Sequence, residues 1–132
     1  MNVFTENAGR FLDPQEANSM TGAYRTRKAA AGISEDDCVR SEYFGINQVM
    51  QLLGQTGCIG LRIHHAKRWE DAEGNPIEEG KGQLKPRVLL TGVDSAGKDM
   101  PDMLAKSGLK DDGDGDAQTV GDGYTCPQHC PK

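Results

Sequence analysis

The sequence is short of the large apolar side chains from which a protein core is built. Leu, Ile, Val and Phe together supply 23 of its 132 residues, about 17%, whereas chains that bury a full core usually have at least roughly 20%. Gly alone supplies 17 positions, which favours turns and loops over packed elements. These shortages argue against a large enzyme core, and the length suits one domain.

Long apolar runs are also missing. The longest, around Val88-Leu89-Leu90, fall far short of the roughly 20 residues that a membrane-spanning helix needs, so we expect no membrane span. No basic start followed by an apolar stretch opens the chain, and we therefore expect no secretory signal. A cytoplasmic location is the default expectation, while export by a route without such a signal stays open.

Positive charge is not concentrated anywhere. The formal net charge is −5, from 20 acidic and 15 basic residues. The basic residues Arg62, Lys67 and Arg68 are followed at once by acidic residues between positions 70 and 73, which cancel a local positive field. We expect no nucleic-acid partner.

The pattern near the N-terminus predicts a first helix over 14–31. Asp13 followed by Pro14, with Glu16 three residues after the Asp, is typical of a helix start. Basic residues occupy its last turns, and Gly32 is predicted to end it.

A second helix is predicted by apolar residues that recur at spacings of three, four and seven before Gly54. They are Ile46, Val49, Met50 and Leu53. Residues 58–66 then alternate with a period of two, which predicts a strand with Leu61 and Ile63 on one face and Arg62 on the other.

A second strand is predicted over 87–93, because Pro86 marks a strand start. The residues 94–97 are typical of a turn that leads into a short third strand over 98–100. We expect the first two strands to pair antiparallel. The fold class is therefore α+β, with two helices packed on a small antiparallel sheet of about three strands.

The last part of the chain differs in composition. We expect one small domain over 1–104 and, over 105–132, a flexible Asp/Gly-rich linker with a cysteine-containing end. Three aspartates have the one-three-five spacing of a calcium-binding loop: Asp112, Asp114 and Asp116. Ala117 and Gly123 stand at the sixth and twelfth positions instead of Gly and Glu, so a solvated acidic linker is the better interpretation.

Three segments carry a resemblance to a known family: TGCIGLRI at 56–63, TGVDSAGKDM at 91–100 and CPQHCP at 126–131. Over roughly 40–132 the chain resembles a family of small uncharacterised bacterial proteins common in Bacteroidota. That family has a Gly-Cys-x-Gly-x-Arg strand, a Gly-Val-Asp-x-x-Gly hairpin and a Cys-Pro tail, here with three residues rather than two between the cysteines. The resemblance implies a shared fold and no particular chemistry.

Four cysteines leave three alternatives open. Cys126, His129 and Cys130, with Cys58, could supply the soft ligands of a zinc site. A disulfide could instead form locally between Cys126 and Cys130, or between the tail and Cys58. The third alternative is that Cys38 and Cys58 are small buried apolar residues and that the tail thiols have no role.

No catalytic motif is present in the sequence. The serines lack a Gly-x-Ser-x-Gly context, and no phosphate-binding or dinucleotide-binding loop occurs. His64 and His65 are adjacent on a predicted strand, so their rings point to opposite faces and cannot both bind one ion. We expect that the protein is not an enzyme.

A thin core and an uncovered sheet edge favour association with another chain. The first hypothesis is a non-enzymatic interaction or assembly subunit that binds itself or another protein, as a homo-oligomer in a ring or filament. The alternative is a thiol or metal-binding module built on Cys126, His129 and Cys130, with Cys58 as partner. A third hypothesis is that residues 124–132 form a processed peptide behind a leader domain.

Overall fold

A computed structural model of the chain describes residues 2–101 and 118–131. Within these residues the α+β class is confirmed, with two helices and two antiparallel sheets. The elements are α1 (Pro14–Ala30), β1 (Ser41–Tyr43), α2 (Ile46–Leu53), β2 (Gly60–Glu70), β3 (Gln83–Val93), β4 (Asp99–Met100), β5 (Thr119–Val120) and β6 (Tyr124–Cys126). The expectation of about three strands was too low, because β1, β5 and β6 are too short to show an alternating pattern.

The described residues divide into two compact units. We call residues 2–8, 44–101 and 118–122 the sheet unit, and residues 9–43 and 123–131 the cystine unit. The expected domain boundary between residues 104 and 105 lies outside the described residues and stays a prediction. The aspartates of the rejected calcium loop, between 112 and 116, lie outside them as well.

The sheet unit is built on a long antiparallel ladder. β2 pairs with β3 from Gly60 opposite Val93 to Glu70 opposite Gln83. β4 and β5 pair with the outer edge of β3, where Gly92 lies opposite Met100 and Leu90 lies opposite Val120. The predicted antiparallel pairing is confirmed, and both strands extend further towards their connection than predicted. β3 begins at Gln83, so Pro86 lies within the ladder opposite Lys67 and the prediction that it marks the strand start was wrong.

The connection between β2 and β3 is tightened by an aspartate. Asp71 Oδ1 accepts hydrogen bonds from the backbone N–H groups of Glu73 and Asn75, at 3.0 and 2.9 Å. The bond from Asn75 is the main reason why the pKa of Asp71 lies below its ordinary value. Gly74 follows with a φ of 88°, a conformation that glycine adopts without strain.

The core of the sheet unit lies between α2 and β3. Leu52 and Leu90 are buried there, and Val93 is buried on the other face of β3. A Cβ atom at Gly92 would lie 2.8 Å from Cys58 Sγ and 3.3 Å from the backbone oxygen of Leu52. Gly92 is therefore required for the close approach of α2 to β3.

The alternation predicted for β2 is confirmed, and the structure shows which of its side chains are less exposed. Leu61 and Ile63 are exposed, whereas Arg62 and His64 are partly buried. On β2 the apolar side chains are therefore the more exposed ones, although α2 packs on the same face of the sheet at the neighbouring strand β3. The polar side chains of β2 lie on the other face, where they make ion pairs and hydrogen bonds within the chain.

The cystine unit contains α1 and the small β1–β6 sheet. Asp13 Oδ1 accepts the backbone N–H of Glu16 at 2.8 Å and so caps the first turn, and Gly32 follows the helix with a φ of 84°. The predicted helix over 14–31 is confirmed to within one residue. No side chain of α1 is buried. Neither described helix is long and apolar enough to cross a membrane.

Candidate functional site

The face of the sheet opposite α2 carries a polar cluster around Asp99. Arg62 Nη1 lies 2.8 Å from Asp99 Oδ1, and Thr91 donates to the same oxygen at 2.9 Å. His64 Nε2 lies 3.1 Å from Thr91 Oγ1 and 3.4 Å from Asp99 Oδ1. Burial alone raises the pKa of Asp99, but the hydrogen bonds from Thr91 and Arg62 and the nearby charges outweigh it and hold the pKa below its ordinary value.

A second cluster on the same face surrounds Glu70, which is almost fully buried. Its two carboxylate oxygens bind two arginines: Arg87 Nη2 on one side, and Arg68 Nε at 2.9 Å on the other. In both clusters the charged groups bind each other. They therefore stabilise the sheet, because separating either pair would leave a charge in a poorly solvated place.

Cys126 and Cys130 are positioned by β6 and the turn that follows it. Cys126 lies opposite Ser41 at the end of the β1–β6 pair. The backbone N–H of His129 then donates to Thr125 O at 2.8 Å, which turns the chain back. Cys130 is thereby brought to Cys126, and the two sulfur atoms form a disulfide.

Arg40 lies against this disulfide. Its backbone N–H donates to Cys126 O at 2.8 Å. Its Nη2 atom lies 3.5 Å from Cys126 Sγ and 3.4 Å from Cys130 Sγ. A hydrogen bond from Arg25 and the charges of Arg25 and Arg40 lower the pKa of Glu35, so the positive charge of Arg40 is felt in this part of the cystine unit.

The two sulfur atoms differ in access. Cys126 is 4% exposed, whereas Cys130 is half-buried and forms part of the wall of a cavity of about 600 Å³. The cavity is lined by Ser41, Glu42, Tyr43, Tyr124, His129, Cys130 and Pro131. The rings of Tyr124 and His129 meet edge to face, with centroids 5.0 Å apart.

The structure groups only part of the predicted ligand set. Cys126, His129 and Cys130 lie in the cystine unit, whereas Cys58 lies in the sheet unit, where its Sγ donates to Gly60 O at 3.3 Å. Cys38 is a free, buried thiol. Across residues 2–101 and 118–131 there is no group of three or more His, Cys, Asp or Glu side chains arranged to hold a metal ion, and zinc binding stays a prediction.

The sequence analysis missed Arg40. Its place at the sulfur atoms depends on the pairing of β1 with β6, which joins segments more than 80 residues apart. Neither strand is long enough to be recognised from alternation, so the sequence contains no signal for this contact.

No protein-family model, no curated protein and no solved structure matches this chain. The resemblance to the Bacteroidota family stays an expectation, and function must be inferred from the residues themselves.

Proposed function

We propose that this chain is a non-enzymatic assembly subunit that forms homo-oligomers through one surface of its sheet unit. We call this the association surface. It consists of the exposed edge and apolar face of β2 together with the exposed apolar side of α2. Its members are Ile46, Met50, Leu61 and Ile63.

The observation that carries the proposal is the exposure of these side chains. Leu61 and Ile63 are 42% and 56% exposed, and Ile46 and Met50 are 73% and 61% exposed. Each would gain about 25 cal/mol for every Å² of apolar surface removed from water. Large apolar side chains grouped on one surface mark an association site more often than a structural one.

β2 and α2 present these side chains on one side of the sheet. Leu61 lies opposite Gly92 in the ladder, and paired residues of antiparallel strands point to the same face. A Cβ at Gly92 would contact the backbone of α2 at Leu52. The helix therefore lies on the face to which Leu61 and Ile63 belong.

A second copy of the chain is the partner that the strand edge favours. Within the described residues, β2 pairs with β3 along its whole length, and on its other edge it makes only an isolated bridge between Glu70 and Pro76. The same edge offers both N–H and C=O groups, so two copies related by a two-fold axis satisfy each other.

The two arginines of β2 do not oppose such pairing. Arg62 is bound by Asp99 and Arg68 by Glu70 within the same chain. Because these two charges are already paired, they add little electrostatic cost when two copies of β2 approach each other. Lys67, which is exposed on the apolar face of β2, is a charge that a second copy must accommodate.

The small core supplies the driving force. Among the described residues the buried apolar side chains are Cys38, Leu52, Leu90, Val93 and Cys126. A core of this size leaves a domain of marginal stability, and binding of a second copy to the folded state adds to that stability by mass action.

Light scattering coupled to size exclusion tests the proposal. We expect a mass that is a multiple of 14.3 kDa at about 100 μM, with dissociation on dilution towards about 1 μM. Ile63→Lys should raise the dissociation constant about 100-fold, since it places a charge in the apolar contact. Gln48→Lys, which adds the same charge at an exposed position of α2 outside the association surface, is the matched control. A wild-type protein that is monomeric at every concentration would refute the proposal.

A further inference from the structure

We propose that the Cys126–Cys130 disulfide is a thiol–disulfide exchange site for low-molecular-weight organic thiols. In this site Cys130 is the sulfur that is attacked, Cys126 is the sulfur that leaves, and Arg40 stabilises the thiolates. The inference goes beyond assembly, and all of its residues belong to the cystine unit.

Access decides which sulfur is attacked. Cys126 is buried, whereas Cys130 lies in the wall of the cavity that Tyr43 and Tyr124 also line. A thiolate that enters this cavity therefore reaches Cys130 before the buried Cys126. Exchange requires direct attack on a sulfur, so the reaction begins at Cys130.

Arg40 allows the buried sulfur to leave. A thiolate surrounded by protein is costly unless a positive charge lies beside it. Arg40 Nη2 lies 3.5 Å from Cys126 Sγ and 3.4 Å from Cys130 Sγ. The guanidinium group keeps its charge at every working pH, so it stabilises whichever sulfur carries the negative charge.

The reaction has two steps and consumes two thiols. The first thiolate forms a bond to Cys130 Sγ, and the Cys126–Cys130 bond breaks with its electron pair going to Cys126. A second thiolate attacks the substrate sulfur of this mixed disulfide and releases Cys130 as a thiolate. The two substrate thiols lose two electrons and become one small disulfide, and the protein cystine gains them. The two substrate protons go to the solvent or to the new cysteine thiols.

The cavity sets the substrate class. Its volume of about 600 Å³ lies within the range of small-molecule sites. The rings of Tyr43 and Tyr124 line it and can pack against the carbon skeleton of a thiol compound.

The first experiment identifies the attacked sulfur, with glutathione disulfide as the probe. We expect Cys126→Ser, which keeps Cys130, to form the mixed disulfide at least about tenfold faster than Cys130→Ser, which keeps Cys126. Peptide mapping by mass spectrometry locates the adduct. Equal rates would overturn the assignment, as would a mixed disulfide on Cys126 when the oxidised wild type is treated with reduced glutathione and quenched with acid.

The second experiment measures the role of Arg40. The protein is equilibrated with mixtures of reduced and oxidised glutathione, quenched with acid, alkylated and weighed by mass spectrometry. Arg40→Gln should shift the equilibrium constant about tenfold towards the disulfide, or about 30 mV for this two-electron couple, because the thiolates lose their cation. Arg40→Lys should recover most of the shift. Arg10→Gln removes another arginine of the same unit, one bound to Glu16, and should leave the constant unchanged.

The pH dependence of thiol alkylation in the wild-type protein tests the proposal without relying on the folding of a variant. In the reduced protein, the rate of alkylation at Cys130 should rise with pH to a midpoint below the ordinary cysteine value of about 8.5. A midpoint at or above that value contradicts the proposal, as does an Arg40→Gln variant that folds and stays within twofold of the wild type.

Discussion

The arginines of the sheet unit and Arg40 of the cystine unit have opposite surroundings, although Arg25 of the cystine unit is also bound to a carboxylate. In the sheet unit Arg62, Arg68 and Arg87 are bound to carboxylates, so their charges are neutralised where they lie. In the cystine unit Arg40 faces two sulfur atoms that carry no charge as long as they are bonded. A paired cation stabilises the structure that exists, whereas a cation beside a disulfide favours the state that forms when the bond breaks.

The chain carries separate optical signals for the two units. Its single Trp is Trp69, on β2 in the sheet unit, and its three Tyr residues are Tyr24, Tyr43 and Tyr124, all in the cystine unit. Trp emission therefore follows unfolding of the sheet unit, and Tyr absorbance follows the cystine unit. The effects expected at Glu70, at the disulfide and at Thr91 can therefore be assigned to one unit or the other.

The largest effect is expected at Glu70. Glu70→Gln leaves Arg87 without its anion in a largely buried place, whereas Arg68 keeps its ion pair with Asp122. Loss of one partner of a buried pair typically costs about 3–5 kcal/mol. Urea denaturation followed by Trp69 emission should show this loss. Glu78→Gln, in an exposed pair with Lys81, should change the unfolding free energy by less than about 0.5 kcal/mol. Equal effects of the two variants would show that the Glu70 cluster is unimportant.

A smaller effect is expected when the disulfide is removed. The double variant Cys126→Ser with Cys130→Ser opens a crosslink between residues four apart in sequence, and so short a loop contributes about 2 kcal/mol. The loss should be seen in the Tyr signal and not in the Trp signal. Cys58→Ser, a free thiol in the other unit, is the control. A simultaneous loss of both signals would mean that the two units unfold together.

An acid-dependent effect is expected at Thr91. Because the folded-state pKa of Asp99 is lowered, its carboxylate stabilises the fold at neutral pH. That contribution is lost as the pH falls through the ordinary value and then the folded-state value. Thr91→Val removes a hydrogen bond to Asp99 and should cost about 1 kcal/mol at pH 7.

The cost of Thr91→Val should shrink as Asp99 becomes protonated in acid. Trp69-monitored denaturation at several pH values measures it, with the exposed Thr56→Val as control. A cost that stays constant down to about pH 3 would show that Asp99 is not the group that titrates.

The smallest effect is expected at the start of α1. Asp13→Ala removes the side chain that accepts the N–H of Glu16, and loss of such a cap costs about 0.5–1 kcal/mol. Faster hydrogen exchange in the first turn of α1 measures it, since this helix buries no side chain that would hold it otherwise. Asp36→Ala, at an exposed connector position, is the control and should leave exchange in α1 unchanged.

Local patterns were sufficient for the long elements. The bounds of α1 followed from Asp13 and Gly32, and α2 followed from apolar spacing before Gly54, because caps and periodicity are local properties. The β2–β3 pair followed from alternation. Alternation did not show which side chains of β2 are the more buried ones. The pattern separates Leu61 from Arg62 without indicating which of the two is less exposed.

The candidate site could be predicted only in part. Spacing singled out Cys126 and Cys130, which are near in sequence, and left their disulfide as one alternative. Arg40 and the cavity wall at Tyr43 depend on β1 meeting β6, and contacts between such distant and short segments leave no local signature. The distant ligand proposed from the sequence, Cys58, belongs to the sheet unit instead.

Pro86, which lies opposite Lys67 in the ladder, limits how far the sheet can grow. On the outer side of β3, strands β4 and β5 occupy the stretch from Leu90 to Val93, and at Pro86 the strand lacks an N–H to offer a newcomer. Addition from that side is blocked, which leaves β2 as the growing edge. In the proposed assembly, two copies joined at β2 would leave neither copy with a free β2 edge, so the assembly would close as a pair instead of extending into a fibre.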